Sequence, residues 1–150
     1  MKKLKQEIKN KIVSHLLVNG EKKTSENSLL KSFKELQKDS NKSSKKLVQL
    51  AIMYSLPIFK LHKMTQKKKR RKTVKEIPAF ILNEKARVSL AIKFIIASVK
   101  KKTAGNFYVK LKQEILLNSQ NKGGATDVKN ELQKQVLVKK RLFRFYRWHS

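Results

Sequence analysis

Apolar residues recur three and four positions apart from the start of the chain. Leu4, Ile8, Ile12, Val13, Leu16 and Leu17 form one stripe, and Asn19-Gly20 supplies a left-handed stop behind it. This spacing predicts a first helix. Thr24 or Ser25 is expected to cap a second, with Glu26 favouring the dipole in its first turn and Leu29, Leu30, Phe33 and Leu36 packing inward. The polar stretch Asp39 to Ser44 reads as a loop. Ser43 or Ser44 then caps a third helix, with Leu47, Leu50, Ala51 and Tyr54 on one side. Pro57 pushes Leu56 out of helical geometry and closes it.

The pattern then changes period. Ile58 to Met64 alternates imperfectly, and a second extended run, Val74 to Leu82, contains Pro78. Two short strands joined by a basic tip are expected, forming a hairpin that projects from a helical body. Pro78 restricts its strand to an edge or a bulge. The tip lacks Gly, which predicts a longer loop and not a tight two-residue turn. Asn83 can cap a fourth helix, whose Val88, Leu90, Ala91, Ile92, Phe94, Ile95, Ile96 and Val99 cover nearly the whole circumference. That is the pattern of a central, buried helix. A fifth helix is predicted from about Asn106 to Ser119, with Phe107, Leu111 and Ile115 in one row and a stop at Gly123-Gly124. Thr126 is expected to cap a sixth, which carries Val128, Leu132, Val136 and Phe143. The fold class is therefore mainly α, a six-helix bundle with a protruding β-hairpin arm between the third and fourth helices. The 150 residues suit one domain, residues 1–150, with the arm at about 57–82.

Charge changes this picture most. Lys plus Arg total 38 against 10 Asp plus Glu, a formal net charge of +28, and the cations are spread over both halves of the chain. A compact body carrying that charge repels itself unless a polyanion neutralises it. The pattern is that of a protein embedded in nucleic acid and not of one with a basic tail. An apolar content of 39% argues against wholesale disorder, and 4 Gly with 2 Pro favour long regular elements. With no Cys, a disulfide framework and a thiolate zinc site are excluded. The most apolar window, Val88 to Val99, is too short to cross a bilayer and contains Lys93. The N-terminus is basic and amphipathic like a transit peptide. Glu7 and the continuity of its stripe into a core helix argue against a removable leader.

Two basic features carry candidate chemistry. The run Lys67-Lys68-Lys69-Arg70-Arg71-Lys72 at the hairpin tip suits contact with successive phosphates, each releasing counterions. At about 100° per residue, a helix through the C-terminus places Lys140, Arg144 and Arg147 on one side with Arg141 beside them. Leu142, Phe143, Phe145 and Tyr146 fall opposite and read as core. Arginine suits such a comb, because its planar fork grips phosphate with two bonds. Trp148 lies near the basic side, open to base stacking or to packing. Catalytic constellations are absent: His15, His62 and His149 are far apart and no Asp or Glu stands at metal-ligand spacing from them. His15 reads as a packing or surface residue. Lys122-Gly123-Gly124 lacks the spacing of a phosphate loop and reads as a helix stop, and Asn41-Lys42-Ser43 matches the glycosylation pattern by chance. No cofactor or small-molecule substrate is expected.

Five segments in order resemble small-subunit ribosomal protein seven, the universal protein of the ribosomal head. Leu17-Val18-Asn19-Gly20-Glu21-Lys22-Lys23-Thr24 is similar to the family's "DGKKS" turn. Lys75-Glu76-Ile77-Pro78-Ala79-Phe80-Ile81 resembles its "YQVPVEV" strand, and Ala91 to Lys101 its "AMRWIVEAARKR" helix. Asn121-Lys122-Gly123-Gly124-Ala125 is like "NKGTA" and Phe145-Tyr146-Arg147-Trp148 like "HYRW". The chain departs from the family over Leu132 to Arg141 and lacks its glycines at the hairpin turn. The resemblance implies binding to the 3′ major domain of small-subunit rRNA. It also implies mRNA and exit-site tRNA nearby and contacts with neighbouring head and platform proteins. Expected rRNA contacts are Lys22, Lys23, Lys67, Lys68, Lys69, Arg70, Arg71, Lys72, Lys75, Arg87, Lys100, Lys101, Lys102, Lys110, Lys122, Lys140, Arg141, Arg144, Arg147 and Trp148. Heavy use of Lys, Asn and Ile suits an AT-rich genome. It points to an organelle-encoded protein of the mitochondrial ribosome, with a plastid or bacterial cytoplasm as alternatives. The runner-up reading is a helical DNA-binding or architectural protein whose basic last helix enters a major groove. A cationic membrane-surface protein is a third class.

Overall fold

A computed structural model describes residues 2–40, 43–68, 71–103 and 105–145; the side chains at 2–7, 66–68, 71–73, 144 and 145 lie outside that description. Three helices, α1 (Lys2–Leu16), α2 (Lys22–Asp39) and α3 (Ser44–Ser55), precede a two-stranded antiparallel hairpin, β1 (Phe59–Lys68) and β2 (Arg71–Phe80). Then follow α4 (Glu84–Lys101), α5 (Phe107–Ser119), α6 (Gly124–Val138) and a terminal 3-10 turn (Lys140–Phe145). The expected mainly α body with an arm between the third and fourth helices is what the chain forms. No described helix is long and apolar enough to cross a membrane.

α4 is the centre of the body, touching α1, α3, α5 and α6. Its Ala91, Ile92, Ile95, Ile96 and Val99 are buried in one core cluster with Ile12 and Leu16 of α1, Leu29 and Leu36 of α2, Ala51 of α3 and Leu111 and Ile115 of α5. Asn83 starts α4 as expected, its side-chain oxygen accepting from the Lys85 amide at 2.9 Å. Pro57 ends α3 as expected, with Leu56 extended at ψ 115°. Arg87 then ties the two together. Its Nε donates to the Pro57 carbonyl at 3.1 Å, joining the first turn of α4 to the link between α3 and β1.

Several local expectations are corrected. α2 begins at Lys22, ahead of Thr24 and Ser25, because Asn19 (φ 52°) and Gly20 (φ 79°) turn the chain sharply enough to start it at once. The Thr24 and Ser25 hydroxyls donate back to the Glu21 carbonyl and do not cap. Leu30 is 44% exposed and Tyr54 41% exposed. On α3 the buried side is Leu47, Val48, Ala51 and Ile52, because that helix is wedged between α4 and α5 and turns the face between them inward.

The largest correction concerns Gly123-Gly124, which starts a helix instead of stopping one. α5 ends at Ser119, and Asn121 takes the left-handed conformation (φ 62°). Gly123 is the N-cap of α6 and has no side chain with which to satisfy the free amides. α5 supplies the acceptors instead. Glu114, fully buried, accepts from the Ala125 amide at 3.0 Å and from Asn118 Nδ2 at 2.9 Å. Asn118 Oδ1 accepts from the Thr126 amide at 3.2 Å and its hydroxyl at 3.0 Å. Thr126 is thus a partner of this network and not the cap. Lys102, just past α4, closes it with an ion pair to Glu114 at 2.7 Å. The fit leaves no room at Gly123: a Cβ there would collide with Asn118 Oδ1 and stand 2.8 Å from the Asn118 amide nitrogen.

Gly123→Ala is therefore expected to cost about 1–3 kcal/mol by overpacking. Gly124→Ala, whose Cβ would meet Ser98 and Glu114 at 3.2–3.4 Å, should be close to neutral because alanine favours the helix. Glu114→Ala should lose about 2–4 kcal/mol, since it strands the Ala125 amide and unpairs Lys102. Denaturant melts of the three variants check the ranking; equal effects at the two glycines would contradict it.

Candidate nucleic-acid interface

The strands pair in continuous register from Phe59↔Phe80 to Lys68↔Arg71. Only residues 69 and 70 separate them, which corrects the expected long basic loop: most of the basic run belongs to the strands themselves. The missing glycine is outweighed by ladder hydrogen bonds that run to the end of both strands. At about 3.4 Å per residue the arm is roughly 30 Å long. Pro78 pairs with Leu61 without a bulge, which a two-stranded sheet permits because each strand is an edge.

The register has an electrostatic consequence. Lys67 stands opposite Lys72, and Lys68 opposite Arg71. Directly opposed like charges destabilise a strand pair. The distal arm is therefore a ladder of repelling cations that pairing alone does not favour and that a row of phosphates would relieve. The base of the arm is the reverse. Ile77, Pro78 and Ala79 are buried, and β1 packs on α6 while β2 packs on the terminal turn. Phe59 and Phe80 lie 4.6 Å apart between centroids, and Phe143 stacks on Phe80 at 5.5 Å. Phe143 thus packs inward as expected, but onto the arm and not into the helical core.

Glu76 holds the arm at mid-length. Lys139 Nζ, at the C-cap of α6, lies 2.5 Å from one carboxylate oxygen of Glu76, and Lys63 from the neighbouring strand lies 3.9 Å from the other. The hydrogen bond from Lys139, then its charge and that of Lys63, hold the Glu76 carboxyl below its ordinary range against a desolvation that would raise it. Neither Lys139 nor Glu76 was among the expected site residues. The signal for them was the isolated acidic residue inside a basic arm.

The expected comb at the C-terminus is also corrected. α6 ends at Val138, and the 3-10 turn that follows has three residues per turn instead of 3.6. Lys140 then lines up with Phe143, not with Arg144. The turn wraps because Phe143 is drawn onto Phe59 and Phe80, a contact that no continued α6 was predicted to make. Lys140 and Arg141 are exposed. Arg144 is described in its backbone only, as are Lys67, Lys68, Arg71 and Lys72. Lys69, Arg70, Tyr146, Arg147, Trp148 and His149 lie outside the described residues.

The other cations divide by what they already hold. Lys22, Lys23, Lys75, Lys100, Lys101 and Lys122 are exposed. The start of α2 and the end of α4 share one groove, lined by Glu21, Thr24, Ser25, Lys100 and Phe107. Lys22 makes only a solvent-exposed contact with Glu26 at 3.9 Å, which contributes little. Arg87 and Lys102 have the structural partners described above, and Lys110 donates to the Thr103 carbonyl at 3.2 Å. Lys112 bridges α5 to α2 through Asp39 at 2.7 Å and Glu35 at 3.6 Å, and its hydrogen bond to Asp39 leads the causes that raise its pKa.

A cleft that sequence reasoning missed lies between α1 and α4, lined by His15, Lys93, Ile96, Ala97 and Lys100. His15 is half-buried there, its Nε2 2.7 Å from the Ser89 hydroxyl. Helical spacing identifies α1 and α4, but only their packing brings His15 to Ser89. Among the described residues no group of three His, Asp or Glu is placed to hold a metal.

The family described as ribosomal protein S7p/S5e matches residues 1–140 of this chain. The small ribosomal subunit protein uS7c of Euglena gracilis is 27% identical over 131 residues, 87% of this chain and 81% of that protein. The small ribosomal subunit protein uS7 of Pseudothermotoga lettingae is 26% identical over 138 residues, 92% and 85% of the two chains. The small ribosomal subunit protein uS7m of Reclinomonas americana is 26% identical over 138 residues, 92% and 83%.

The hold on the arm should depend on pH. With its folded pKa depressed, Glu76 contributes at and above its ordinary carboxylate range and loses that contribution as pH falls through the lowered value. Amide-exchange protection in β1 and β2 is expected to drop on acidification in the wild type. Lys139→Met should lower it already at neutral pH and flatten the acid step. An unchanged acid step in that variant would show that another group governs it.

Proposed function

The chain belongs to the ribosomal protein S7p/S5e family, and from that premise we propose that it binds the 3′ major (head) domain of small-subunit rRNA, helps assemble the head and lies beside the mRNA and tRNA exit site. It is a structural, non-catalytic protein of the small ribosomal subunit, acting in translation. The observation that carries the rRNA reading is the arm: opposed cations at its far end and an aromatic and ionic anchor at its base. A charged finger of this length suits an A-form RNA surface, which shows phosphates and 2′-hydroxyls more readily than base edges. The exposed Lys22, Lys23, Lys75, Lys100, Lys101, Lys122, Lys140 and Arg141 would extend the contact over the body. Neighbouring head and platform proteins are the protein partners proposed. The richness in Lys, Asn and Ile supports a mitochondrial ribosome within that reading.

The DNA-binding alternative needed a continuous basic last helix to enter a major groove, and α6 ends at Val138. What remains in favour of DNA is charge alone, which favours RNA equally.

The purified chain is expected to prefer the folded multi-way junction of the rRNA head over random duplex RNA or DNA. Its affinity should fall roughly 10³-fold or more between about 50 and 200 mM salt. Replacing Lys67, Lys68, Arg71 and Lys72 by Ala should lower the salt slope by about one for each phosphate that is no longer neutralised. Binding the junction should also raise the melting temperature of the protein, because the ligand stabilises only the folded state. No preference for the junction, or an arm variant with an unchanged slope, would overturn the reading.

A further inference from the structure

The cleft between α1 and α4 is where charge and hydrogen bonding meet in a way the family reading does not require. His15 projects from α1 to the Ser89 hydroxyl on α4, with Nε2 to Oγ at 2.7 Å. Lys93 and Lys100, one and three turns further along α4, line the same cleft, and Lys11 lies one turn before His15 on α1. α2, the other helix packed on α1, presents Glu21 in the adjoining groove that Leu16 and Lys100 also line. Cations therefore face His15 from both helices that form the cleft, while Glu21 lines the adjoining groove. Ile96 and Ala97 complete the lining with apolar surface.

We propose that this cleft is a seat for one RNA phosphodiester, held by Lys93, Lys100 and a protonated His15, so that RNA binding takes up a proton here. The inference rests on the RNA-binding reading above and adds a ligand group and a pH dependence to it. In the free protein, burial first, then Lys93, then Lys11 disfavour the imidazolium and hold His15 below its ordinary pKa. A phosphate between Lys93 and Lys100 reverses the local field. It offsets the lysine charges and accepts a hydrogen bond from the imidazolium, while Ser89 rotates to accept the other. The proton comes from solvent, and no bond to the phosphate forms or breaks. The sign follows by linkage: a pKa raised on binding means affinity grows as pH falls through the window between the free and bound values. The gain is about tenfold for each unit of that rise and involves one proton at most.

The test uses the full chain with the rRNA head junction at fixed ionic strength. His15 is followed by NMR from pH 5 to 8, free and bound, with inorganic phosphate as a separate arm. Affinities of the wild type and His15→Gln are measured across the same range. The expected result is an upward move of the His15 midpoint on RNA binding and a shallower pH dependence of affinity in His15→Gln. A midpoint moved equally by inorganic phosphate at the same ionic strength would overturn the assignment to an RNA phosphodiester. An unmoved midpoint, or identical pH slopes in the two proteins, would overturn the proposal while salt-sensitive junction binding kept the functional reading intact. Loss of junction preference at every pH would instead strike the functional reading. The NMR arm uses the wild type, so a variant that fails to fold does not decide the matter.

Discussion

Carboxylates are scarce in this chain, 10 against 38 cations, and their placement governs what the cations are left to do. Glu114 is spent inside the body, joining the end of α4, the length of α5 and the start of α6. Glu35 and Asp39 are spent on Lys112, between α2 and α5, and Glu76 on Lys139, between the arm and α6. Each of these ties joins elements that are separate in sequence. Among the described cations outside them, Lys23, Lys75, Lys100, Lys101, Lys122, Lys140 and Arg141 are exposed. A fold of this kind is held by its core and a few well-placed acids against its own repulsion, and gains most from a polyanion outside.

The arm shows the same division along one element. Its base is apolar and aromatic, with Phe59, Phe80 and Phe143 in contact and Ile77 to Ala79 buried. Its middle holds one carboxylate between two lysines. Its far end sets Lys67 opposite Lys72 and Lys68 opposite Arg71 in the pairing register. Stability is thus supplied where the arm meets the body, and charge density rises with distance from it. An isolated two-stranded hairpin is marginal in water. The anchor at Phe143 and Lys139 ties the base and middle of the strand pair to the body.

The turn between α5 and α6 explains a motif in physical terms. Asn121 reverses the chain, Gly123 makes space for Asn118, and the buried side chains of α5 cap a helix whose own N-cap residue offers none. Within Asn121-Lys122-Gly123-Gly124-Ala125, Asn121 makes the reversal, the Lys122 amide donates to the Leu117 carbonyl at 2.9 Å, Gly123 clears Asn118 and the Ala125 amide donates to Glu114. The Lys122 side chain is exposed.

Helical spacing, Asn83, Pro57 and the switch to alternation after it were enough to read six helices in order, the arm between the third and fourth, and α4 as the buried centre. These depend on residues close in sequence, whose side chains share a face whatever surrounds them. The total charge and its spread were likewise legible, and with them the polyanionic partner. Tertiary packing alone decided the rest. It set the start of α6, because Glu114 and Asn118 reach it across a turn, and the end of α6, because Phe143 is drawn onto the arm. It extended the strands through the basic run, and it brought His15 to Ser89 across 74 positions of chain. Those outcomes depend on pairs of groups distant in sequence, and no local period carries their distance or direction.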